Sequence, residues 1–369
     1  MALNQVGLER LTTTTTDKIG KRKNLIINGA MQVAQRGTSS TSIGYQTVDR
    51  FQLRTTGVDA APTQAQVDVA SGTSPYTSGF RKAYKITNGN QTGGAGAGDR
   101  IIINYKFEAQ DIANSGWNYT DPNSFITLSF WVKSSVAQNF FGYVLTQDGT
   151  QQCLPFETGS LSADTWTKIT KTIPGNSNLT FDNNNDSGLE IEWIMFRGTN
   201  FTGSVSLNAW AAFNSSVRTP DNTSTWYTTN SATWELTGVQ IEVGSVATDF
   251  EHRSFADELM RCFRYYLVIH TGMLFAGRAA TGGTRAKFTL MSPVPMRASP
   301  SVDTSPFGGT WSATGFKYNA ASISSTALNV NDFLQNSTAV LMDQLGHSLD
   351  DDRNFTYQNN VPFALISEL

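Results

Sequence analysis

The sequence predicts an all-β protein: a jelly-roll β-sandwich joined by a short helix to a smaller C-terminal β domain, with an extended N-terminal arm. Only 15% of the 369 residues are charged and 11% are aromatic, a composition that favours short strands over long helices. Short apolar segments alternate with polar turns such as Asn88-Gly89-Asn90. A single segment has apolar residues at the spacing of one helix face. The length suits two domains.

Residues 1–23 are predicted to form the arm. The few apolar residues in it are well separated: Leu3, Val6, Leu8 and Leu11. Such a segment cannot bury enough apolar surface to offset the entropy lost on ordering. We therefore expect these four residues to dock on another protein. The alternative is that the arm lies along its own domain.

Residues 24–253 are predicted to form the sandwich. Eight short segments in this region have the length and residue types of strands. They are 25–27, 80–86, 100–107, 125–133, 140–145, 165–173, 189–196 and 236–243. Eight strands separated by polar turns are typical of a jelly roll.

A helical connector is predicted at residues 254–266. Ser254 can cap this helix, and Asp257 stands three residues later as its capping-box partner. An apolar stripe at helical spacing follows: Phe255, Leu259, Cys262 and Phe263. The stripe predicts that one face of the helix is buried.

Residues 267–369 are predicted to form the smaller β domain. The pattern of short strands returns there, at 267–269, 273–275, 286–291, 315–318, 340–342 and 363–367. Three prolines after the third of these segments interrupt strand pairing: Pro293, Pro295 and Pro300.

Several segments resemble motifs of bacteriophage and prophage tail-fibre and virion surface proteins. They are residues 24–37 (NLIINGAMQVAQRG), 45–51 (YQTVDRF), 234–266 and 293–300 (PVPMRASP). The resemblance implies a virion protein that docks on other virion proteins through residues 1–23. It also implies a homotrimer that attaches to the host surface.

Three further segments resemble the strand order of carbohydrate-binding-module jelly rolls: 126–135, 164–173 and 237–242. In that family, Trp131 and Trp166 would lie in structural strands and not in the sugar cleft. This resemblance concerns the fold more than the ligand.

Aromatic residues in polar loops are the candidates for glycan contact. They are Trp117, Tyr119, Trp226 and Tyr227. A flat ring can stack on the apolar face of a pyranose while neighbouring amides bind the hydroxyl groups. The alternative is that these rings fold back onto the sandwich edge or into a subunit interface.

Glu190 and Glu192 are the candidates for enzymatic chemistry. Alternation on a strand places both carboxylates on one face, about 7 Å apart, within the range of paired glycosidase carboxylates. A simpler interpretation is that Leu189, Ile191 and Trp193 face the core while both glutamates face solvent. We expect no enzymatic activity.

A structural calcium ion is a further candidate, because oxygen ligands alternate at Asp182, Asn184 and Asp186. The segment departs from an EF-hand loop, since Ser187 stands where glycine is required and Trp193 where the twelfth residue should be glutamate. Turns rich in Asn and Asp also form without metal. No other cofactor is predicted.

Composition excludes several classes of partner. A net charge of −3 offers no broad basic face for nucleic acid. The sequence contains neither an apolar run of about 18 residues nor the layout of a secretory signal. We therefore expect that the protein does not insert into a membrane. We also expect that it is synthesised in the host bacterial cytoplasm. Two cysteines cannot build a disulfide framework.

These patterns predict a non-enzymatic phage virion protein, a tail fibre or receptor-binding protein that contacts host-surface glycans. One alternative is a capsid decoration, knob or tail-hub protein that serves as a spacer. A second alternative is a polysaccharide-degrading virion enzyme, in which Glu190 or Glu192 would carry the reaction.

Overall fold

The protein is described by a computed structural model that covers residues 23–270, 274–280, 285–303, 313–318, 321–325, 327–333, 338–345, 354–358 and 362–369. The predicted docking residues lie outside the described residues: Leu3, Val6, Leu8 and Leu11. The first described residue, Lys23, is tied to the sandwich, because its backbone N–H donates to the Glu251 carboxylate at 3.1 Å.

Twelve strands form the sandwich. In chain order they are β1 (Ser39–Ser40), β2 (Gln52–Thr56), β3 (Thr63–Asp68), β4 (Lys82–Thr87), β5 (Arg100–Glu108), β6 (Phe125–Ser134), β7 (Asn139–Thr146), β8 (Gln152–Ser160), β9 (Thr167–Pro174), β10 (Ser187–Arg197), β11 (Ala211–Ala212) and β12 (Thr233–Val243). They make two six-stranded sheets with antiparallel pairing. The first sheet has the order β1-β3-β4-β12-β6-β9, and the second has the order β11-β8-β7-β10-β5-β2.

Strand alternation builds the core between the two sheets. On β6, Phe130 and Val132 are fully buried, whereas Trp131 between them faces outward and is half-buried. On β10, Ile191 and Trp193 face the same core. Burying each such side chain stabilises the fold by about 1.5–3 kcal/mol.

All but one of the predicted sandwich strands are present. The exception is 25–27, which has no strand assignment, although the Leu25 N–H donates to the Ile241 carbonyl of β12 at 2.9 Å. Strands β1, β2, β3, β8 and β11 were not predicted. Edge and near-edge strands such as β2 and β3 carry mostly polar residues, and so their apolar signal is weak.

The helices are short. They are α1 (Ser74–Thr77), α2 (Ala109–Ala113), α3 (Thr225–Thr228) and α4 (Phe255–Phe263), with a 3-10 turn at Thr199–Phe201. Among the described residues, none of the helices has the length and apolar character needed to cross a membrane.

Helix α4 begins as predicted but ends earlier. The Ser254 hydroxyl accepts the Asp257 N–H at 3.1 Å, which confirms the cap. The predicted stripe is partly wrong: Cys262 is buried, but Phe255 is 55% exposed. Glu258 takes a buried position instead, since its carboxylate accepts the backbone N–H of Asn28 at 2.7 Å.

The region after α4 consists of strands, as predicted. They are β13 (Tyr266–Ile269), β14 (Leu274–Ala280), β15 (Arg285–Met291), β16 (Ser301–Asp303), β17 (Ala313–Tyr318), β18 (Ala321–Ser325), β19 (Ala327–Phe333), β20 (Ala339–Leu345), β21 (Asn354–Gln358) and β22 (Phe363–Ile366). A three-stranded sheet has the order β13-β22-β16, and a seven-stranded sheet has the order β18-β17-β21-β14-β15-β20-β19. The chain thus combines an all-β sandwich with further β-sheets and very little helix.

Candidate functional site

The structure corrects the prediction that Trp226 and Tyr227 contact glycans. Both lie on α3 and have no exposed surface. The indole N–H of Trp226 donates to the Thr233 carbonyl at 3.0 Å, and the Tyr227 hydroxyl donates to the Asp99 carboxylate at 2.9 Å. A ring without exposed surface cannot stack on a sugar.

Trp117 is also part of the core, with 3% of its surface exposed, and its indole N–H donates to the Ser124 carbonyl at 3.2 Å. Tyr119 is half-buried and meets Phe181 edge to face, with ring centroids 4.9 Å apart. Apolar burial of these rings outweighs the polar character of their sequence neighbours. The alternative that the rings fold back onto the sandwich describes Trp117 well.

The predicted calcium ligands form hydrogen bonds within and beside a turn. The Asn184 side-chain oxygen accepts the Asp186 N–H at 3.0 Å, and Asp186 lies 3.8 Å from Arg297. The backbone N–H of Asp182 donates to Asp148 at 3.0 Å. Within the described part of the chain, no group of three or more His, Cys, Asp or Glu side chains is placed to hold a metal ion. Calcium at this loop stays a prediction.

A pocket of about 260 Å³ lies on the outer face of the first sheet. Its lining includes Phe80, Ser129, Trp131, Lys168, Phe250 and His252. We call this site the aromatic pocket. None of the four predicted glycan-contact residues lines it.

One wall of the aromatic pocket is a cluster of rings. The centroids of Phe80 and Phe250 are 4.8 Å apart at an interplanar angle of 74°, and those of Phe250 and His252 are 4.9 Å apart. The His252 Nε2 atom lies 3.0 Å from the Ser78 carbonyl oxygen. Edge-to-face packing of this kind holds the rings in place.

Gly238 allows the two walls of the aromatic pocket to meet. It has φ +62° and lies where the register of β12 against β6 shifts, between Thr237 and Gln240. A Cβ atom here would lie 2.6 Å from the Phe80 ring and 3.0 Å from the Trp131 ring. A bulge that carries glycine therefore lets both rings line the pocket.

The charged side chains in the pocket lining are free to bind a ligand. Lys168 and Asp249 both line it, and among the described residues neither side chain forms an ion pair. Ser129 and Thr248 add hydroxyl groups, of which that of Thr248 donates to the Glu242 carboxylate at 2.6 Å and can still accept. Such groups can donate to and accept from sugar hydroxyls.

Sequence reasoning missed the aromatic pocket because it treated Trp131 and Trp166 as structural. Trp166 lies just before β9 and, like Trp131, is half-buried against the outer cluster that contains Phe80. The alternation of residues 125–133 does place Trp131 on the face opposite Phe130. That signal was available, but the other pocket residues come from distant segments.

Glu190 and Glu192 share one face of β10, as predicted, but the expectation that they face solvent is wrong. They are 4% and 1% exposed. Gln147 donates to Glu190 at 3.1 Å, and Arg54 lies 3.4 Å from Glu192, which also pairs with Arg197. Burial, together with the charge of Glu192, raises the pKa of Glu190 to about 8.

The burial of these glutamates has a structural cause. Strand β10 lies inside the second sheet between β7 and β5. Its outer face also carries an apolar cluster that includes Ile102, Tyr143 and Ile194, and Phe213 from the segment around β11 packs on that cluster. Phe213 thus covers that apolar cluster, and the Arg54 and Arg197 side chains lie against the Glu192 carboxylate.

The segments that resemble virion-protein motifs meet at a structural junction. Arg50 lies 3.5 Å above the Tyr265 ring and pairs with Glu368, which also lies 3.3 Å from Arg36. Arg297 donates to the Ser367 carbonyl at 2.6 Å. These motif residues hold the sandwich, α4 and the end of the chain together.

Comparison with known proteins gives only distant likenesses. No protein-family model matches the sequence, and no curated protein matches it. Among solved structures, the enzymatically active domain of bacteriophage CBA120 tailspike protein 4 matches with a TM-score of 0.31 and 9% identity, over 60% of this chain. This chain covers 21% of that tailspike chain.

Two carbohydrate-binding structures are similar to the same degree. The N-terminal CBM22 tandem domain from Paenibacillus barcinonensis Xyn10C has a TM-score of 0.30 and 9% identity, over 95% of this chain and 99% of its own. The cellulose-binding domain from Cellulomonas fimi β-1,4-glucanase C has a TM-score of 0.27 and 10% identity, over 58% of this chain and 99% of its own. The jelly-roll assignment rests on the two sheets themselves.

Proposed function

We propose that this chain is a non-enzymatic structural protein of a phage particle, a tail fibre or receptor-binding protein whose aromatic pocket binds host-surface glycans. The observation that carries the proposal is the pairing, in one concave site, of the half-exposed Trp131 ring with uncommitted polar groups. Lys168 and Asp249 are the charged members of that site.

The chemistry of the pocket suits a saccharide. The apolar face of a sugar ring can stack on Trp131 or on the Phe80–Phe250 wall, and the hydroxyl groups can bond to the surrounding side chains. A volume of about 260 Å³ lies just below the usual range for drug-sized ligands. It favours a terminal or branching sugar over a long chain segment.

Two observations support a non-enzymatic role. Glycoside hydrolysis uses a pair of carboxyl groups on either side of the scissile bond, and the lining of the aromatic pocket includes one carboxylate, Asp249. The paired Glu190 and Glu192 lie on the other sheet and are buried. A polysaccharide-degrading activity remains the competing hypothesis for that pair.

The phage assignment is supported by the sequence resemblance and by the junction that its motifs form. We propose attachment to other virion proteins through residues 1–23 and assembly as a homotrimer at the particle surface. A capsid decoration, knob or tail-hub role is the alternative. Lys23, the first described residue, lies beside the pocket, because its ammonium group donates to the Asp249 carbonyl.

Glycan binding can be tested with the full chain on an array of bacterial surface polysaccharides. Trp131→Ala and Phe250→Ala should each weaken binding by about ten-fold, since each removes a stacking surface. Phe255→Ala is the matched control, because that ring is exposed on α4 and does not line the pocket. Equal binding by all three variants, or no binding by the parent protein, would disprove the proposed site.

The position on the particle needs a second experiment. The double variant Leu8→Asp and Leu11→Asp should lose attachment to particles that lack the protein while it still binds host cells. That result would support a receptor-binding fibre. Particle attachment with no cell binding in either form would favour the decoration or hub alternative.

A further inference from the structure

Four arginines lie on the outer face of the second sheet, where the charges of three of them act on the fourth, Arg100. They are Arg54 on β2, Arg100 on β5, Arg197 on β10 and Arg218 after β11. Arg197 lies directly opposite Arg100 in the antiparallel register. Arg197 and Arg218 approach the same ring, that of Phe201, at 6.0 and 5.4 Å from its centroid. We call this group the arginine cluster.

Negative charge is scarce around the arginine cluster. Arg54 lies 3.4 Å from Glu192, and Arg197 pairs with the same carboxylate, so that one glutamate serves two arginines. Arg54 is also 4.0 Å from Glu190, whose raised pKa keeps it largely protonated at neutral pH. Burial and the charges of the other three arginines lower the pKa of Arg100. The cluster therefore has an excess of positive charge.

Hydrogen-bond donors in and beside the cluster have no protein partner. Arg197 has a side chain with no exposed surface, yet its Nε and Nη1 atoms lack partners among the described residues. Asn104, directly opposite Glu192 in the register and fully buried, lacks partners at both side-chain amide atoms. Unmade hydrogen bonds of buried groups are costly, and an acceptor bound beside Arg197 would satisfy its unpaired N–H groups.

The cluster is also accessible from one side. Arg54 has 37% of its side chain exposed, and Arg100 and Arg218 are half-buried. Arg100 donates to the Thr56 hydroxyl at 2.9 Å, and Arg218 donates to the Ser215 carbonyl at 3.1 Å. Each of these bonds uses the Nε atom alone, which leaves the terminal guanidinium nitrogens able to bind a ligand.

We propose that the arginine cluster is a binding site for an oxyanion, a phosphate or a carboxylate group, separate from the aromatic pocket. Planar guanidinium groups match the oxygen geometry of both anions and bind them through charge-assisted hydrogen bonds. The anion bridges the accessible guanidinium groups of Arg54, Arg100 and Arg218, with Arg197 behind them. It is either a free inorganic anion or an acidic group carried on a saccharide.

The first test is calorimetric titration of the full chain with inorganic phosphate, against sodium chloride at equal ionic strength. Phosphate should bind, and the double variant Arg54→Gln and Arg218→Gln should weaken binding by about ten-fold or more. Arg81→Gln is the matched control, because this exposed arginine stacks on Tyr76 beside the first sheet, 4.0 Å above its ring. It should bind phosphate as the parent protein does.

A parallel titration with an oligogalacturonate, which carries carboxylates, distinguishes the two sources of the anion. Binding of either probe that depends on Arg54 and Arg218 supports the site, and the tighter probe identifies the source. Absence of binding by both probes, or equal weakening by Arg81→Gln, would overturn the proposal. Trp131→Ala should leave phosphate binding unchanged, so failure here is distinguishable from failure of the glycan site.

Discussion

The two outer faces of the sandwich show how one alternation pattern produces opposite surfaces. On the first sheet, the outward residues of β6 remain partly accessible, and Trp131 lines an open pocket. On the second sheet, the outward residues of β10 are as buried as its core residues, and Glu192 is 1% exposed. On the second face, Phe213 packs on the outer apolar cluster, and Arg54 and Arg197 lie against Glu192. Whether an outward strand residue meets water therefore depends on the side chains that pack over it, and one face can hold both buried and accessible positions.

The largest effect is expected where a buried charge loses its partner on the second face. Arg197→Met should reduce the free energy of unfolding by about 3–5 kcal/mol, because the buried Glu192 carboxylate loses one of its ion-pair partners. Chemical denaturation of the purified variant measures this loss. The double variant with Glu192→Gln should recover part of it. A loss below about 1 kcal/mol would mean that water reaches this face after all.

Glu190 should make the second face sensitive to pH. Because its folded pKa of about 8 lies above the usual value near 4.3, the unfolded chain releases this proton first as pH rises. The favourable contribution of Glu190 is therefore complete below about pH 4 and is lost progressively up to about pH 8.

Denaturation of the parent protein and Glu190→Gln across that range checks the prediction. The stability of Glu190→Gln relative to the parent should rise by a few kcal/mol between pH 5 and pH 8. A difference that stays constant with pH would show that Glu190 titrates normally and that its face is hydrated.

A smaller effect is expected on the first face from Gly238→Ala. The added Cβ atom meets the Phe80 ring at 2.6 Å in a backbone with φ +62°, so we expect a loss of about 1–3 kcal/mol and weaker glycan binding. Gly72→Ala is the control, since Gly72 has φ +82° but no atom within 4 Å of the added carbon. Gly72→Ala therefore carries only the cost of placing a Cβ atom on a backbone with positive φ. Equal losses in thermal unfolding of both variants would exclude a role for the ring contacts.

Local patterns in the sequence were sufficient for much of the fold. Alternation in residues 189–193 correctly places Ile191 and Trp193 in the core, and the capping box at Ser254 correctly begins α4. The same patterns predicted the wrong end for α4, because the chain begins strand β13 at Tyr266, where it pairs with β22. That pairing joins residues about a hundred positions apart, which no local window contains.

What the sequence by itself determined is which face of each strand a residue occupies, because side-chain direction follows from backbone geometry alone. Only the tertiary structure decided whether that face meets water. Trp226 and Tyr227 lie in a polar segment yet pack in the core, and Glu190 and Glu192 alternate outward yet are buried. The aromatic pocket joins Phe80, Trp131 and the pair Gly238 and Phe250 from three distant regions of the chain. Burial depends on which distant segments pack together, and such contacts leave no periodic signal along the chain.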